Sequence, residues 1–322
     1  MNRLKKTLFF VGGEDISLRI PMLKLLQDYK YKVVCLGSEN RRVFDSTGIE
    51  YIEYKLDRGF TPFTDIKTVY ELYMLFRDRS PCIVHTFDTK PNILASIAAK
   101  LAGIPKVIQT INGMGQIFSE SSFRYRLLRV IYCCFQFFVS KFTNITIFQN
   151  KDDLNYFIKN RLVPFSKAKY VAGSGVSLKA FEDSIVDSDS LKNISTDLGL
   201  GSKCIVLMVS RIIKSKGIFE YLECAREIVN EGHQIKFLLV GPLESEFGNI
   251  SQSSIDEYAD VCSYLGFRDD VSSLISLSNI IVLPSYYKEG VPRVLIEGAS
   301  LSKPLIATNV NGCRDIVVDK YN

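Results

Sequence analysis

The apolar run Ile280–Leu283 followed by PSYYKEGVPRVLIEG, residues 284–298, restricts the possible folds more than any other stretch. Four consecutive apolar residues without alternation read as a strand buried on both faces, as in a parallel sheet. Pro292 suits the first position of a helix, where its missing N–H has no partner to lose, and the pattern then continues as a helix through Ala299. Unpaired N–H groups and the positive end of the helix dipole make such a first turn an anion site. Glu289 and Gly290 lie in the loop before the helix, and Val291 leads into it. Glu297 falls about five residues into the helix, roughly 7 Å along its axis. A phosphate between the two carboxylates, with hydroxyls on either side, is a sensible occupant. The plainer alternative is an ordinary strand–loop–helix unit with two solvated glutamates.

Sister units elsewhere weigh against that alternative. Thr7–Val11 reads as a strand running into Gly12-Gly13, and residues 17–29 as a helix, which is the first unit of a doubly wound sheet. No GxGxxG occurs, so a dinucleotide fingerprint is absent. Strands are expected at 31–36, 50–54, 82–86, 106–110, 143–149 and 169–172, with helices at 63–79, 91–101 and 151–159. Ligands of open parallel sheets bind at the carboxyl edge. Gly12 and Gly13, His85 at the end of the fourth strand, and Asn112 and Gly113 in the loop INGMGQ all fall at that edge. The two glycines either admit a ligand close to the backbone or serve the turn alone. His85 is either ligand-facing or structural. His233, in NEGHQIKF, reads as surface.

A second βα series starts at residue 203, after a polar and acidic stretch at 179–199 that reads as a connection. Its strands are expected at 203–210, 234–240, 279–283 and 303–308. Arg211 and Lys216 follow the first of these strands, so they share a carboxyl edge with Glu289 and Glu297. Two cations and a helix N-terminus can neutralise a diphosphate without a metal, and no Asp-x-Asp cluster suggests one. Two domains result, 1–175 and 176–322, with 176–200 as the connection.

The halves differ in charge. Residues 1–175 carry 26 Lys/Arg against 15 Asp/Glu, a net +11, and residues 176–322 carry 14 against 20, a net −6. A basic half can meet nucleic acid or an anionic membrane surface. No nucleic-acid module is visible, which favours the membrane. Residues 121–141, SSFRYRLLRVIYCCFQFFVSK, are too short and too charged to span a bilayer. They read as a helix lying in the membrane interface, or as one packed on the sheet. No cleavable signal and no run of about 20 apolar residues is present. The eight cysteines form no CxxC pair and sit mostly in apolar runs, which suits a reduced, cytosolic, structural role.

These residues resemble glycosyltransferase family 4, the retaining GT-B enzymes. The resemblance rests on VSRIIKSKGI, GSGVSLKAF, LGFRDDV and LPSYYKEGVPRVLIEGAS, whose Glu289 and Glu297 match a Glu-x7-Glu pattern. The first half, with HTFDTKPNILASIAAKLAGIPKVIQTINGMGQIF, looks like the members that build bacterial O-antigens and capsules. The resemblance implies two Rossmann-like parallel-sheet domains facing a cleft. The first would bind a lipid-linked saccharide acceptor at the cytoplasmic membrane face, and the second a nucleotide sugar, UDP-linked, with no metal or other cofactor. By position, Arg211 and Lys216 would hold the donor diphosphate, with Gly290 and Val291 beside it. Glu297 would accept from the ribose hydroxyls and Glu289 from the sugar. Gly12 and Gly13 would line the donor phosphates, Asn112 and Gly113 the acceptor. Glu289 and His85 would be the catalytic residues. The leaving phosphate itself would help deprotonate the acceptor hydroxyl. Many relatives carry histidine where this chain has Asn112, and relatives continue past VVDKYN through further elements, so the resemblance implies a second domain shortened at its C-terminus. A sugar-nucleotide epimerase of the same architecture and an inactive nucleotide-binding remnant are the alternatives.

Overall fold

The computed structural model describes residues 6–29, 31–57, 59–244 and 250–321. The chain forms two compact units that meet between Ala172 and Gly173, against the expected boundary at 175/176.

Unit 1 holds a seven-stranded sheet of β1 (Thr7–Val11), β2 (Lys32–Gly37), β3 (Glu50–Glu53), β4 (Ile83–Phe87), β5 (Val107–Ile111), β6 (Ile145–Phe148) and β7 (Ala168–Tyr170). The order is β3-β2-β1-β4-β5-β6-β7, and every pairing is parallel. The chain steps outward from β1 to β3, then returns to β4 and proceeds the other way. Right-handed crossovers therefore place the connecting helices on opposite faces. The core follows suit. Leu8 and Phe10 pack with Ile16, Leu23 and Cys35 on one face, while Phe9 and Val11 pack with Leu72, Phe76, Ala95 and Ala98 on the other. The helices Pro62–Arg79, Thr89–Leu101 and Phe123–Ser140 lie on that second face.

Unit 2 holds β8 (Cys204–Val209), β9 (Ile235–Val240), β10 (Cys262–Tyr264), β11 (Ile280–Leu283) and β12 (Leu305–Ala307) in the order β10-β9-β8-β11-β12, again parallel. Strand β10, at the edge of the sheet beside β9, is absent from the sequence reading. The stretch read as a plain connection folds instead into the helices Leu178–Glu182 and Ser188–Asp197. Asp187 caps the second by accepting N–H bonds from Asp189 and Ser190 at 3.0 and 3.1 Å. Phe181, Ile194 and Leu198 pack on the unit 2 core, and Val186 N–H donates to Ser273 Oγ at 3.1 Å.

Phe76 is fully buried and meets Phe9 edge-to-face, with ring centroids 5.9 Å apart. Phe76→Ala removes that contact and leaves a cavity, a loss of about 3–5 kcal/mol. A lower urea midpoint for the transition that contains unit 1 is the expected result.

Candidate functional site

In unit 2 the winding direction reverses between β8 and β11, the place where open α/β sheets bind ligands. A short helical turn, Lys214–Lys216, follows β8 and closes on Gly217 at φ 79°. A Cβ on Gly217 would lie 2.2 Å from the Pro284 carbonyl oxygen, so only glycine lets this turn touch the loop after β11. The Ser215 carbonyl accepts N–H bonds from Tyr286 and Tyr287, both at 3.0 Å. The two strand ends are thereby sewn together.

That stitching brings Lys216 and Glu289 into an ion pair, with side chains only 11% and 12% exposed. Ser285 Oγ donates to the same Glu289 oxygen at 3.1 Å. Tyr287 lies beside both cations: its ring centroid is 5.2 Å from Lys216 Nζ and 6.0 Å from the Arg211 guanidinium carbon. Arg211 Nη1 reaches Glu244 at 3.1 Å. The helix Arg293–Ser300 begins one residue later than expected. Pro292 is its N-cap, and no side chain caps the turn. Glu297 accepts from Arg293 Nη2 at 3.1 Å, one turn away on the same flank. Gly290 and Val291 are buried in the loop between Glu289 and the helix. Gly312 presses on this loop, since a Cβ there would fall 1.7 Å from the Gly290 carbonyl oxygen. Below it, burial and the nearby Glu289 charge push the Cys313 thiol up to about 12.

All four charged residues singled out in unit 2 thus lie at one sheet edge. Each of Arg211, Lys216, Glu289 and Glu297 is engaged with an opposite charge. Among the described residues, no three His, Cys, Asp or Glu side chains gather where a metal ion would be held.

Unit 1 reverses between β1 and β4, where Gly12 and Gly13 follow β1 and Asn112, after β5, reaches them through Asp88. Gly12 N–H donates to the Leu36 carbonyl at 2.9 Å, and Gly13 N–H to Asp88 Oδ2 at 2.9 Å. The Asn112 amide donates to Asp88 Oδ1 at 2.6 Å and accepts from Arg19 Nη2 at 3.0 Å. Gly113, next in that loop, has φ 147°. Sequence reasoning missed Asp88 and Arg19. Asp88 precedes the helix Thr89–Leu101, where an acidic residue ordinarily caps. Here it makes no cap bond and instead clamps the β1 turn to the β5 loop. Its backbone, at φ 66° and ψ 162°, occupies a region nearly confined to glycine, at a cost on the order of 1–3 kcal/mol.

His85 is in the middle of β4, opposite Phe10, rather than at the strand end. Its ring stacks on Phe87 at 4.3 Å, and Nε2 shares a hydrogen bond of 2.8 Å with Thr110 Oγ1. Burial, with the Arg19 charge adding to it, pushes the imidazole down to about 3. His233 is exposed beside Glu231, as expected.

Two family models match the chain: "glycosyl transferases group 1" over residues 192–322, and "glycosyl transferase 4-like" over residues 7–150. A UDP-Gal:alpha-D-GlcNAc-diphosphoundecaprenol alpha-1,3-galactosyltransferase of Escherichia coli is 30% identical over 97% of this chain and 79% of its own length. The chain belongs to glycosyltransferase family 4. An N,N'-diacetylbacillosaminyl-diphospho-undecaprenol alpha-1,3-N-acetylgalactosaminyltransferase of Campylobacter jejuni is 26% identical over 97% of this chain and 82% of its own length. Among solved structures, Anabaena Alr3699/HepE in complex with UDP-glucose superposes with a TM-score of 0.77 at 14% identity, covering 97% of this chain and 83% of that one. That likeness establishes the GT-B fold.

His85 yields a test. Between about pH 6.5, where an unfolded histidine titrates, and about pH 3, the unfolded chain holds a proton that folded His85 lacks. The His85 contribution to stability is therefore present above about pH 6.5 and is lost as the pH falls towards 3. The chain has two histidines, so ring NMR with a His233→Gln variant assigns each signal. His85 is expected to keep neutral-ring shifts at about pH 5, and a midpoint above that value contradicts its burial.

Proposed function

We propose that this glycosyltransferase moves a sugar, with retention, from a UDP-linked donor held by unit 2 to a lipid-linked diphosphate saccharide held by unit 1. The Lys216–Glu289 pair at the switch point of unit 2 carries this reading. A buried lysine facing a carboxylate can trade that partner for the donor diphosphate, and Glu289 then becomes available to the sugar hydroxyls. Arg211 adds a second cation on the same edge. Glu297, one turn into its helix, accepts from the ribose. These groups neutralise the diphosphate with no metal.

In the transfer, the acceptor hydroxyl oxygen bonds to the anomeric carbon as the bond from that carbon to the phosphate oxygen breaks. The hydroxyl proton passes to the leaving phosphate, and UDP departs. No protein base is needed, which agrees with the weak proton affinity of His85. Its imidazole serves as a neutral packing and hydrogen-bonding group under the acceptor edge. The printed activities of the Escherichia coli and Campylobacter relatives, both acting on diphosphoundecaprenol-linked sugars, support the acceptor class. Such an acceptor would be met at the cytoplasmic face of a membrane, which is the location this reading assigns to the enzyme. The basic helix Phe123–Ser140 supports that attachment.

Mass spectrometry decides the reaction. The chain is incubated with UDP-galactose, UDP-N-acetylgalactosamine or UDP-glucose and a prenyl-diphosphate N-acetylglucosamine, with chelator present. Addition of one sugar to the prenyl acceptor is expected. Sugar epimerised without acceptor, or a product that vanishes with chelator, contradicts the reading.

The two glutamates should separate in titrations with UDP alone. Glu297→Gln removes a charged acceptor worth about 1.5–3 kcal/mol, so UDP affinity is expected to fall about tenfold or more. Glu289→Gln releases Lys216, so UDP binds as well or better, while transfer drops because the sugar loses its orientation. Equal weakening of UDP binding by both substitutions would overturn this division of roles.

A further inference from the structure

On the outer face of unit 1, the helix Pro62–Arg79 turns Thr68, Leu72 and Phe76 inward. Phe63, Ile66, Tyr70 and Met74 form the opposite stripe, all exposed, with Phe63 at 91%. The helix Phe123–Ser140 repeats the pattern. Tyr132, Gln136 and Val139 are buried, and Phe123, Leu127, Val130 and Phe137 face outward, with Phe123 at 82%. Both helices, and Thr89–Leu101 between them, connect strands in the same direction across the sheet. They run parallel on one face, and their first turns sit at its carboxyl edge. Leu101 of the middle helix is exposed as well. An apolar face of this breadth on a folded unit marks a contact surface.

Charge identifies the occupant. Helix Phe123–Ser140 carries exposed Arg124 and Arg126 and no acidic residue, and exposed Lys141 follows it, while Arg129 turns inward to the Ile117 and Glu120 carbonyls. On the outward side of Pro62–Arg79, Glu71 pairs with Lys67 at 3.7 Å. A second copy docked through the same face would set these cations against themselves across a two-fold axis. Anionic lipid headgroups would meet them with opposite charge, and acyl chains would take up the apolar stripes.

We infer that the three helices form one bilayer-docking face, in which Pro62–Arg79 inserts alongside Phe123–Ser140. This rests on the proposed membrane attachment through Phe123–Ser140 and adds to it a second inserted helix and an orientation. The carboxyl edge of the sheet, with Asn112 and Gly113, then stands beside the headgroups, at the level of a lipid-linked diphosphate.

The chain contains no tryptophan, so single substitutions report cleanly. Phe63→Trp and Phe123→Trp each replace one exposed ring by another. Leu25→Trp, on the exposed side of the helix of the opposite face, is the control. Each variant is mixed with vesicles of phosphatidylcholine and phosphatidylglycerol, with and without brominated acyl chains. Blue-shifted, quenched emission is expected from positions 63 and 123, weakening with salt, and none from position 25. Adding Ile66→Asp to Phe123→Trp should lower vesicle binding about tenfold or more. If position 123 inserts while position 63 stays in water, the three-helix face is overturned and the simpler attachment stands. If neither inserts, both fall. Insertion of position 25 would overturn the orientation. A blue shift at position 63 without lipid, together with a doubled mass by light scattering, would make the face a self-interface and overturn the inference.

Discussion

Parallel strands joined by helices can cross over with only one hand at low cost, because a right-twisted strand and a right-handed helix pack together only that way. That constraint orders both units of this enzyme. The chain starts in the middle of each sheet, winds one way, returns and winds the other. The strand ends on either side of the return diverge and leave a crevice at the carboxyl edge. In unit 1 the crevice gathers Gly13, Asp88 and Asn112, and in unit 2 Arg211, Lys216 and Glu289. The same handedness sends three helices of unit 1 to one face, so the outward stripes of Pro62–Arg79 and Phe123–Ser140 lie on the same side of the sheet.

At the unit 2 crevice the decisive interaction is the Lys216–Glu289 ion pair. Two buried charges cost more to desolvate than they recover by attraction unless further hydrogen bonds assist, and Ser285 supplies one to Glu289. A pair held in this way contributes little to stability, and removal of either partner strands the other. In the proposed reaction its use would lie in preorganisation, with cation, carboxylate and helix N-terminus in place before a substrate arrives. The strained Asp88 backbone in unit 1 fits the same description, a local cost sustained by the surrounding sheet to hold two loops at a set separation.

The βα series and the position of the second-domain charged residues at a sheet edge are legible in the sequence because each motif is local. A strand, a loop and a helix lie within about 15 residues of each other, and Glu289 and Glu297 occupy one such unit. Strand β10 and the two helices at 178–197 are not legible there. A polar helix held by an Asp187 cap looks like a linker until its few apolar residues find a core.

What the sequence determined alone is therefore everything encoded by short-range pattern: the βα series, two units, the family, and which charged residues end on a sheet edge. The tertiary structure decided the pairings. Lys216 meets Glu289 although 73 residues separate them, and Asp88 meets Gly13 across 75. It also withdrew His85 from the strand end and lowered its proton affinity by burial. It left the stripe from Phe63 to Met74 on the outside of a helix that reads simply as amphipathic. Pattern along a chain shows which residues share a face of one element. What that face meets depends on how distant elements pack, and only the folded sheet supplies that.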